Sequence, residues 1–248
     1  QYVEVSFGNE CNFKCGYCHP KHSSSYYKEI EKEGPYTMVK NHRNDIDWFK
    51  IHKDEETNPY VKAWWKWWPE LRKTLTILRI TGGEPLLGWQ RSYPELLEQA
   101  MEKGLHNITF ETNGTQEIAP EFEQWVYNVW HGLRLWDQLT FSVSAKLPCS
   151  GEKWEEAIKP DIVVNYEKLG YTYLKFVVST EDDVEDVDRA VKEYRDAGFR
   201  GPVYLMPIGG LPEDYHLNTE QVAELSMKKA YRYSPRLQVD IWRNAWGT

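Results

Sequence analysis

Three cysteines with a short, regular spacing are the residues in this sequence best suited to chemistry. Cys11, Cys15 and Cys18 follow the pattern C-x3-C-x2-C within one short segment. Three thiolates can hold a 4Fe–4S cluster and leave its fourth iron without a protein ligand. That iron can bind a small molecule and reduce it. The spacing therefore predicts a redox-active cluster that binds a small molecule, rather than one that only stores electrons.

A structural zinc site is an alternative use of the same cysteines. Such a site normally has four protein ligands, and the last could come from His19, His22 or Cys149. A disulfide framework is a weaker interpretation, because the chain has four cysteines and three of them are crowded together. Cys149 follows Pro148 and is expected to be a thiol without a ligand role.

The composition predicts a single domain, residues 1–248, in a reducing compartment. A chain of 248 residues with 41% hydrophobic residues can bury a full core. No apolar run approaches the roughly 18 residues that a membrane span requires. Clustered thiols without a visible signal peptide predict a cytoplasmic protein. The net charge of -8 argues against direct binding of nucleic acid.

Short apolar or alternating segments, separated by helical patterns, predict a mainly parallel sheet. The predicted strands are Tyr2–Phe7, Leu75–Thr81, Asn107–Thr112, Gln138–Ser144, Tyr171–Ser179, Pro202–Met206 and Leu237–Trp242. The clearest helix runs from Asp183 to Gly198 with Thr180 as its N-cap, and Asn218 with Gln221 marks the start of another. Six or seven such units predict an α/β fold, an open, partial (β/α)6-type TIM barrel rather than a closed barrel of eight strands.

Residues 21–73 separate the first two predicted strands by more than one crossover connection needs. This insertion is charged and rich in tryptophan, and Trp64, Trp65, Trp67 and Trp68 lie within five consecutive positions. We interpret it as helical, with its tryptophans packed on the barrel. The alternative is a lid or a partner surface, because exposed aromatic patches tend to mark binding sites.

A second motif, Thr81-Gly-Gly-Glu-Pro85, directly follows a predicted strand. Paired glycines let a ligand approach the backbone, because no Cβ intervenes. The carboxylate of Glu84 could then bind an ammonium group through a charge-assisted hydrogen bond. Since loops after the strands build the sites of such barrels, this motif is expected to meet the cysteine loop at one face.

The two motifs together, in this order, resemble those of the radical S-adenosylmethionine (SAM) superfamily. The resemblance implies that the three cysteines bind a 4Fe–4S cluster whose open iron chelates SAM. One electron then cleaves SAM to a 5′-deoxyadenosyl radical, which abstracts hydrogen from a substrate. By position in the motifs, Tyr17 would lie near the adenine, and Gly82, Gly83 and Glu84 would hold the SAM amino group.

From about residue 75 onward the sequence resembles the 7-carboxy-7-deazaguanine synthase family. The matching stretches are Ile80–Gly88, Thr109–Thr115, Phe141–Lys146, Val203–Pro207 and Tyr233–Val239. The resemblance implies a lyase of queuosine and 7-deazapurine biosynthesis. Such an enzyme contracts the ring of 6-carboxy-5,6,7,8-tetrahydropterin, with SAM as cofactor and Mg²⁺ assisting.

Two segments of that match would contact SAM. The residues implied near its ribose are Glu111, Thr112 and Asn113, and those implied near its carboxylate and ribose are Ser142, Ser144 and Lys146. Each has an ordinary structural interpretation as well: Asn113-Gly114 is a common turn signal, the two serines could be plain strand positions, and lysines are usually surface charges. Their positions at successive strand ends favour the functional interpretation.

The first third of the chain departs from that family. It lacks the Gly-Glu-Gly substrate segment before the first cysteine, and it has His19-Pro20 where the family has Asp-Thr. The family threonine helps to bind Mg²⁺, whereas imidazole is a poorer ligand than oxygen for this ion. His19 therefore stands at the implied magnesium position with different ligand chemistry.

Residues 2–87 resemble twitch-domain and SPASM-related radical SAM proteins instead. The two resemblances meet at Thr81–Pro85, which leads to the hypothesis of a composite chain joined at that motif. The sequence begins with Gln1 rather than Met, as a fragment or a processed form would. The alternative functions are a radical SAM enzyme that modifies a peptide and a non-catalytic zinc-binding interaction module. The predicted partners are a pterin substrate, an external electron donor of the flavodoxin or ferredoxin type, and a second copy of the chain in a homodimer.

Overall fold

The computed structural model describes residues 1–15, 18, 20–36, 46, 58–102, 104–209 and 219–242. The strands are β1 Tyr2–Val5, β2 Ile77–Ile80, β3 Asn107–Thr112, β4 Leu139–Val143, β5 Tyr171–Val178, β6 Val203–Pro207 and β7 Arg232–Tyr233. The α-helices are α1 Ser24–Glu33, α2 Pro59–Leu71, α3 Tyr93–Glu102, α4 Pro120–Val126, α5 Trp154–Ala157, α6 Pro160–Leu169, α7 Glu181–Asp196, α8 Thr219–Lys228 and α9 Leu237–Trp242. A π-helical turn covers Tyr127–His131, and 3-10 turns cover Trp136–Gln138 and Pro148–Ser150.

The seven strands form one parallel sheet in the order β1-β2-β3-β4-β5-β6-β7. Each strand pairs with the next strand of the chain in parallel register. Helices fill most of the crossovers, as parallel β–α units require. Within the described part of the chain the sheet is open, with β1 and β7 at its edges. The predicted fold class, a partial and open barrel, is confirmed.

The outer face of the sheet forms the hydrophobic core with the surrounding helices. Phe110 of β3 and Phe141 of β4 are fully buried and stack with ring centroids 5.9 Å apart. Tyr166 of α6 stacks on Phe141 at 4.9 Å, so the helix covers the strand directly. These apolar positions alternate with side chains that point to the inner face. The inner face is polar, and its side chains include Arg79, Thr109, Glu111, Ser142, Tyr173 and Lys175.

The helix predicted after β5 is confirmed, together with its start signal. Thr180 caps α7: its hydroxyl accepts from the backbone N–H of Asp183, and the Asp183 carboxylate accepts from the Thr180 backbone in return. Val184, Val187 and Tyr194 are buried on one side of the helix, as their spacing predicted. The predicted start of the following helix at Asn218 lies outside the described residues.

The tryptophan-rich insertion is helical where it is described, in α1 and α2. Asn58 caps α2 and also donates to the Phe7 carbonyl at 2.6 Å, which ties the helix to the end of β1. Trp64 and Trp68 are each 3% exposed and stack at 5.2 Å, whereas Trp67 is 60% exposed. Trp65 is partly buried and also packs against the core. Tryptophan packing on the barrel, the favoured interpretation, is therefore confirmed for three of the four residues.

The predicted strand Leu237–Trp242 is wrong, because this segment forms helix α9. The last strand, β7, is only two residues long and pairs with Tyr204 and Leu205. The alternating apolar residues of the segment suggested a strand, yet Val239 is buried while Leu237 and Ile241 are mostly exposed. A helical turn places Leu237 and Ile241 on the same exposed side. Separately, no described helix combines the length and the hydropathy needed to span a membrane.

Candidate functional site

The first turn of α1 holds the cysteine loop in place. The hydroxyls of Ser24 and Ser25 donate to the Cys11 carbonyl at 3.3 and 2.7 Å, and the Cys11 N–H donates to the Ser24 hydroxyl at 3.1 Å. Tyr26 donates from its hydroxyl to the Cys15 carbonyl at 3.0 Å. These hydrogen bonds satisfy the backbone carbonyls of Cys11 and Cys15. Sequence reasoning missed these residues, although a run of three serines at a helix start is itself an N-cap signal.

The three cysteines gather around a small apolar cluster apart from the main core. Cys15 is 5% exposed and packs with Phe13 and Ala157, while Cys11 and Cys18 lie against the same cluster. Burial is the main cause that raises the pKa of the Cys11 thiol to about 12; the charges of Glu84, Cys18 and Cys15 contribute to the rise, and the hydrogen bond from the Phe13 backbone opposes it. The thiols are therefore close enough to influence one another's ionisation, and none forms a disulfide.

Three thiolates from one loop are a donor set that an iron–sulfur cluster accepts. Among the described residues, no three His, Cys, Asp or Glu side chains converge closely enough to hold one ion. A cubane cluster spreads its three thiolates over three different irons, so its ligands need not meet at one point. The ligand role of Cys11, Cys15 and Cys18 remains a proposal that rests on this gathering of thiols.

The Gly-Gly-Glu motif packs against the chain that leads into the cysteine loop. Gly82 and Gly83 have φ values of +82° and +58°, and a Cβ on Gly83 would collide with the Glu10 carbonyl oxygen. The backbone N–H of Glu84 donates to that same carbonyl at 2.6 Å. A Cβ on Gly82 would collide with the Ser6 hydroxyl. The glycines are thus needed for contact between two segments of the protein, in addition to any ligand they admit.

Replacing Gly83 with alanine is therefore expected to destabilise the protein severely. Gly151 provides a matched control, because it is left-handed with φ +88° and ψ 1° but nothing in the described part of the chain lies within 4 Å of the position that a Cβ would take. Gly151→Ala should cost about 1 kcal/mol from backbone strain alone. Gly83→Ala adds overpacking, for a total of about 3 kcal/mol or more. Equilibrium urea unfolding of both variants measures this difference, and equal losses would contradict the packing argument.

Glu84 is 1% exposed, and both of its carboxylate oxygens are occupied. Oε1 accepts from the Thr112 hydroxyl at 2.8 Å and from the Leu86 N–H at 3.1 Å. Oε2 accepts from the Asn113 backbone N–H at 2.6 Å. Burial raises the pKa of Glu84 to about 7, while these hydrogen bonds and the charge of Lys146 oppose the shift. The carboxylate thereby links the ends of β2 and β3. Its contact with the SAM amino group stays a prediction.

The remaining site residues meet the cysteine loop along the same edge. The side-chain amide of Asn113 donates to Oδ1 of Asn12 at 2.9 Å, and the amide of Asn12 donates to the Thr115 hydroxyl at 3.1 Å. Lys146 donates to the Ser144 hydroxyl at 3.2 Å, and its charge acts on Glu84. The structure therefore brings the loops after β1, β2, β3 and β4 together, as expected for the carboxyl ends of barrel strands.

Glu111 lies on the inner face of the barrel, among residues that the sequence did not single out. It contacts Arg79 of β2 and Lys175 of β5, each at 3.1 Å. Ser142 is opposite Glu111 in register and is fully buried. A charged residue between two buried apolar neighbours, as in Leu78-Arg79-Ile80, is the pattern that could have predicted these inward side chains. Tyr17 and His19, predicted near the adenine and Mg²⁺, lie outside the described residues.

A comparison of folds finds a solved enzyme with the same architecture. The crystal structure of Streptococcus suis SuiB bound to S-adenosylmethionine matches with a TM-score of 0.53 and covers 97% of this chain and 52% of that one. The sequence identity is 12%, so this match concerns the fold alone. No protein-family model matches the chain. The fold is thus shared with a SAM-bound protein, and the paired motifs resemble those of the radical SAM superfamily.

Three curated relatives are 7-carboxy-7-deazaguanine synthases, as the strand-end motifs predicted. The protein of Pyrobaculum aerophilum is 33% identical over 168 residues, which are 68% of this chain and 66% of that protein. The protein of Halobacterium salinarum is 30% identical over 67% of this chain and 65% of its own length. The protein of Rhodopirellula baltica is 25% identical over 68% of this chain and 62% of its own length. The chain thus matches just under two-thirds of the length of these relatives.

Proposed function

We propose that this chain is a radical SAM enzyme that makes 7-carboxy-7-deazaguanine from 6-carboxy-5,6,7,8-tetrahydropterin. The observation that supports this most is the meeting of the cysteine loop with the Gly-Gly-Glu motif beside a polar barrel interior. The sequence relatives, each a 7-carboxy-7-deazaguanine synthase, supply the substrate class. The overall conversion releases one molecule of ammonia and needs no net oxidant, because product and substrate differ by ammonia alone.

In this proposal the chain binds and orients the reactants. Cys11, Cys15 and Cys18 would hold a 4Fe–4S cluster, which when bound supplies the electron that cleaves SAM. The hydroxyls of α1 fix the loop that carries these thiols, and Asn12 fixes it to the end of β3. The backbone at Gly83 is held against Glu10, which sets the distance between the motif and the loop. Such preorganisation keeps reacting groups in a productive geometry.

The polar interior of the barrel is the natural place for the substrate. Its side chains lie directly beneath the strand ends that build the site, and burial there excludes water. A reactive radical requires this exclusion, because exposure to solvent would let it be quenched. The exposed Trp67 of the insertion offers only a small part of the docking surface that a peptide-modifying enzyme would need, since Trp64 and Trp68 are buried.

An anaerobic turnover assay tests the proposed function. The reconstituted protein would receive SAM, a strong reductant, Mg²⁺ and 6-carboxytetrahydropterin, with 5′-deoxyadenosine and the deazapurine followed by mass spectrometry. We expect both products, with the deazapurine absent when the pterin is omitted. Formation of 5′-deoxyadenosine without a deazapurine would contradict the proposed substrate and favour the peptide-modifying alternative. Absence of both, with about one zinc and no sulfide per chain, would favour the zinc module.

We propose magnesium only as an assisting ion. The Asp-Thr pair whose threonine would bind it in related synthases is replaced by His19-Pro20, and imidazole is a poor magnesium ligand. The same assay without Mg²⁺ is therefore expected to lose little activity. An external electron donor of the flavodoxin or ferredoxin type, a homodimer, a single domain and a cytoplasmic location also stay predictions.

A further inference from the structure

Two basic side chains share one carboxylate on the inner face of the sheet. Nη1 of Arg79 lies 3.1 Å from Oε1 of Glu111, and Nζ of Lys175 donates to Oε2 at 3.1 Å. The side chains of Glu111 and Lys175 are 19% and 14% exposed, and that of Arg79 is 37% exposed. One carboxylate neutralises only one of two cations, so these three residues keep a net positive charge that is buried on the Lys175 side. Such a charge is costly unless an anion joins it.

Several polar atoms of the same wall lack hydrogen-bond partners among the described residues. They are Nε of Arg79 and Oγ of Ser142, both buried, although the Ser142 hydroxyl also acts on the Tyr173 hydroxyl. Oε1 of Glu111 likewise makes no hydrogen bond to a described residue, but it is ion-paired with Arg79. The ammonium of Lys175 also has more donor hydrogens than its one bond to Glu111 uses. Buried polar groups are nearly always paired in folded proteins, so a cluster of unpaired ones on one wall indicates a place for a polar ligand.

Other charged groups nearby offset the charge of the pair only in part. Glu4 lies opposite Arg79 in register and its charge acts on Arg79, but Glu4 is exposed to solvent and accepts from the Tyr2 hydroxyl at 3.1 Å. Arg232, at the far edge of the sheet, is exposed and bonds to the Tyr204 hydroxyl. Water and salt screen exposed charges far more strongly than partly buried ones. The interior therefore remains attractive to an anion.

Arg79 and Lys175 lie below the cysteine loop, at a distance that a small ligand can span. Glu111 lies in β3, two residues before Asn113, which directly follows the end of the strand and bonds to Asn12 of that loop. Two residues of a strand span about 6.6 Å. A ligand whose anionic end rests on Arg79 and Lys175 would thus place its other end near the loop. This separation suits a small planar acid.

We infer that Arg79 and Lys175 bind the carboxylate of the substrate, which orients the pterin ring beneath the cysteine loop. This inference rests on the proposed function, because that function supplies a planar substrate with one carboxylate. Nε of Arg79, which has no hydrogen-bond partner among the described residues, would donate to the carboxylate. The Lys175 ammonium would donate a hydrogen that its bond to Glu111 does not use. Ser142 adds a hydroxyl that can donate to the same ligand. SAM also carries a carboxylate, and the experiment below separates the two sources.

A binding experiment with unreactive pterins tests this assignment. Oxidised 6-carboxypterin and plain pterin differ only in the carboxylate, and quenching of their fluorescence would be titrated with the cluster-loaded, SAM-bound protein without reductant. The wild type is expected to prefer 6-carboxypterin by about 10- to 100-fold, the range for hydrogen bonds to a charged group. In Lys175→Met and in Arg79→Gln this preference should fall below about 3-fold, while the affinity for pterin itself changes little.

Lys192→Met is the matched control, because Lys192 is an exposed lysine on α7 that pairs with Asp196. It should keep the full preference for the carboxylate. Lys175→Met leaves Glu111 paired with Arg79, so the variant is expected to fold, which near-UV circular dichroism checks. Equilibrium dialysis of SAM gives a second readout, and its affinity should stay within about 2-fold in both site variants.

Three outcomes would overturn the assignment in different ways. Equal binding of both pterins by the wild type would show that the protein has no site for the carboxylate, while pterin recognition itself would stand. Loss of SAM affinity in the variants, with the pterin preference retained, would assign the pair to the SAM carboxylate. Failure of the wild type to bind either pterin would contradict the proposed substrate itself, and this inference with it.

Discussion

Cys15→Ser is expected to abolish both iron loading and the cleavage of SAM. Cys15 is the most buried of the three thiols, and its neighbours Phe13 and Ala157 leave little room for another ligand to replace it. Because the cofactor supplies the chemistry, its loss should reduce 5′-deoxyadenosine formation by at least about 1,000-fold. Iron and acid-labile sulfide per chain, measured beside product formation, would show the loss directly.

Cys149→Ser is the matched control for that variant. Cys149 is exposed, lies after β4, and its thiol donates to the Val177 carbonyl at 3.8 Å and hydrogen-bonds to Asp183. It should keep the iron content and activity of the wild type, as expected for a thiol without a ligand role. A Cys15→Ser protein that retains about four irons and full activity would contradict the cluster assignment. Equal losses in both variants would instead indicate a general effect of thiol removal.

Replacing Glu84 is expected to have the largest effect on folding. Glu84→Ala would leave the backbone N–H groups of Leu86 and Asn113 and the hydroxyl of Thr112 without their buried acceptor. Unsatisfied buried donors cost about 1 to 3 kcal/mol each, so a total of about 4 kcal/mol is expected. Glu98→Gln, on the exposed side of α3, should change the free energy of unfolding by less than about 0.5 kcal/mol. Urea unfolding of both variants measures the difference.

The pH dependence of stability gives an independent test of Glu84. Its folded-state pKa is raised to about 7, above the ordinary value of 4.5, so the folded protein holds this proton more tightly than the unfolded chain. Stability should therefore fall as pH rises from about 5 to about 8, by about 2 to 3 kcal/mol from this group. Glu84→Gln cannot titrate, so the stability of the wild type relative to this variant should decrease over that interval. A constant difference would show that the Glu84 carboxyl titrates near its ordinary pKa.

In the structure the Gly-Gly-Glu motif packs against other segments of the protein, whereas its contact with SAM stays a prediction. The sequence indicated glycines that admit a ligand and a glutamate that binds an ammonium group. Gly82 and Gly83 instead lie against Ser6 and Glu10, and Glu84 is occupied by the ends of two strands. The motif therefore fixes the relative positions of the cysteine loop and strands β2 and β3. Any contact with SAM is made by a segment that these contacts already hold rigid.

Local residue order was sufficient to identify the motifs of the candidate site and to predict most of the fold. The cysteine spacing, the Gly-Gly-Glu motif and the strand β3 could be identified because each depends on neighbours a few residues away. The capping box at Thr180 and Asp183 is local in the same sense, and its helix was correct. The segment Leu237–Trp242 was mistaken for a strand because a short alternating pattern does not determine which of its residues will be buried.

Only the tertiary structure decided which distant side chains share a surface. Arg79, Glu111 and Lys175 come from three strands, and each alone looks like an ordinary charge in a strand. The parallel register turns all three toward the barrel interior, where low solvation makes their net charge significant. The sequence by itself therefore determined the motifs and the strand–helix alternation, which local geometry encodes. The partners of Glu84 and the cationic pair in the interior depended on chain packing, because they join residues that are distant in sequence.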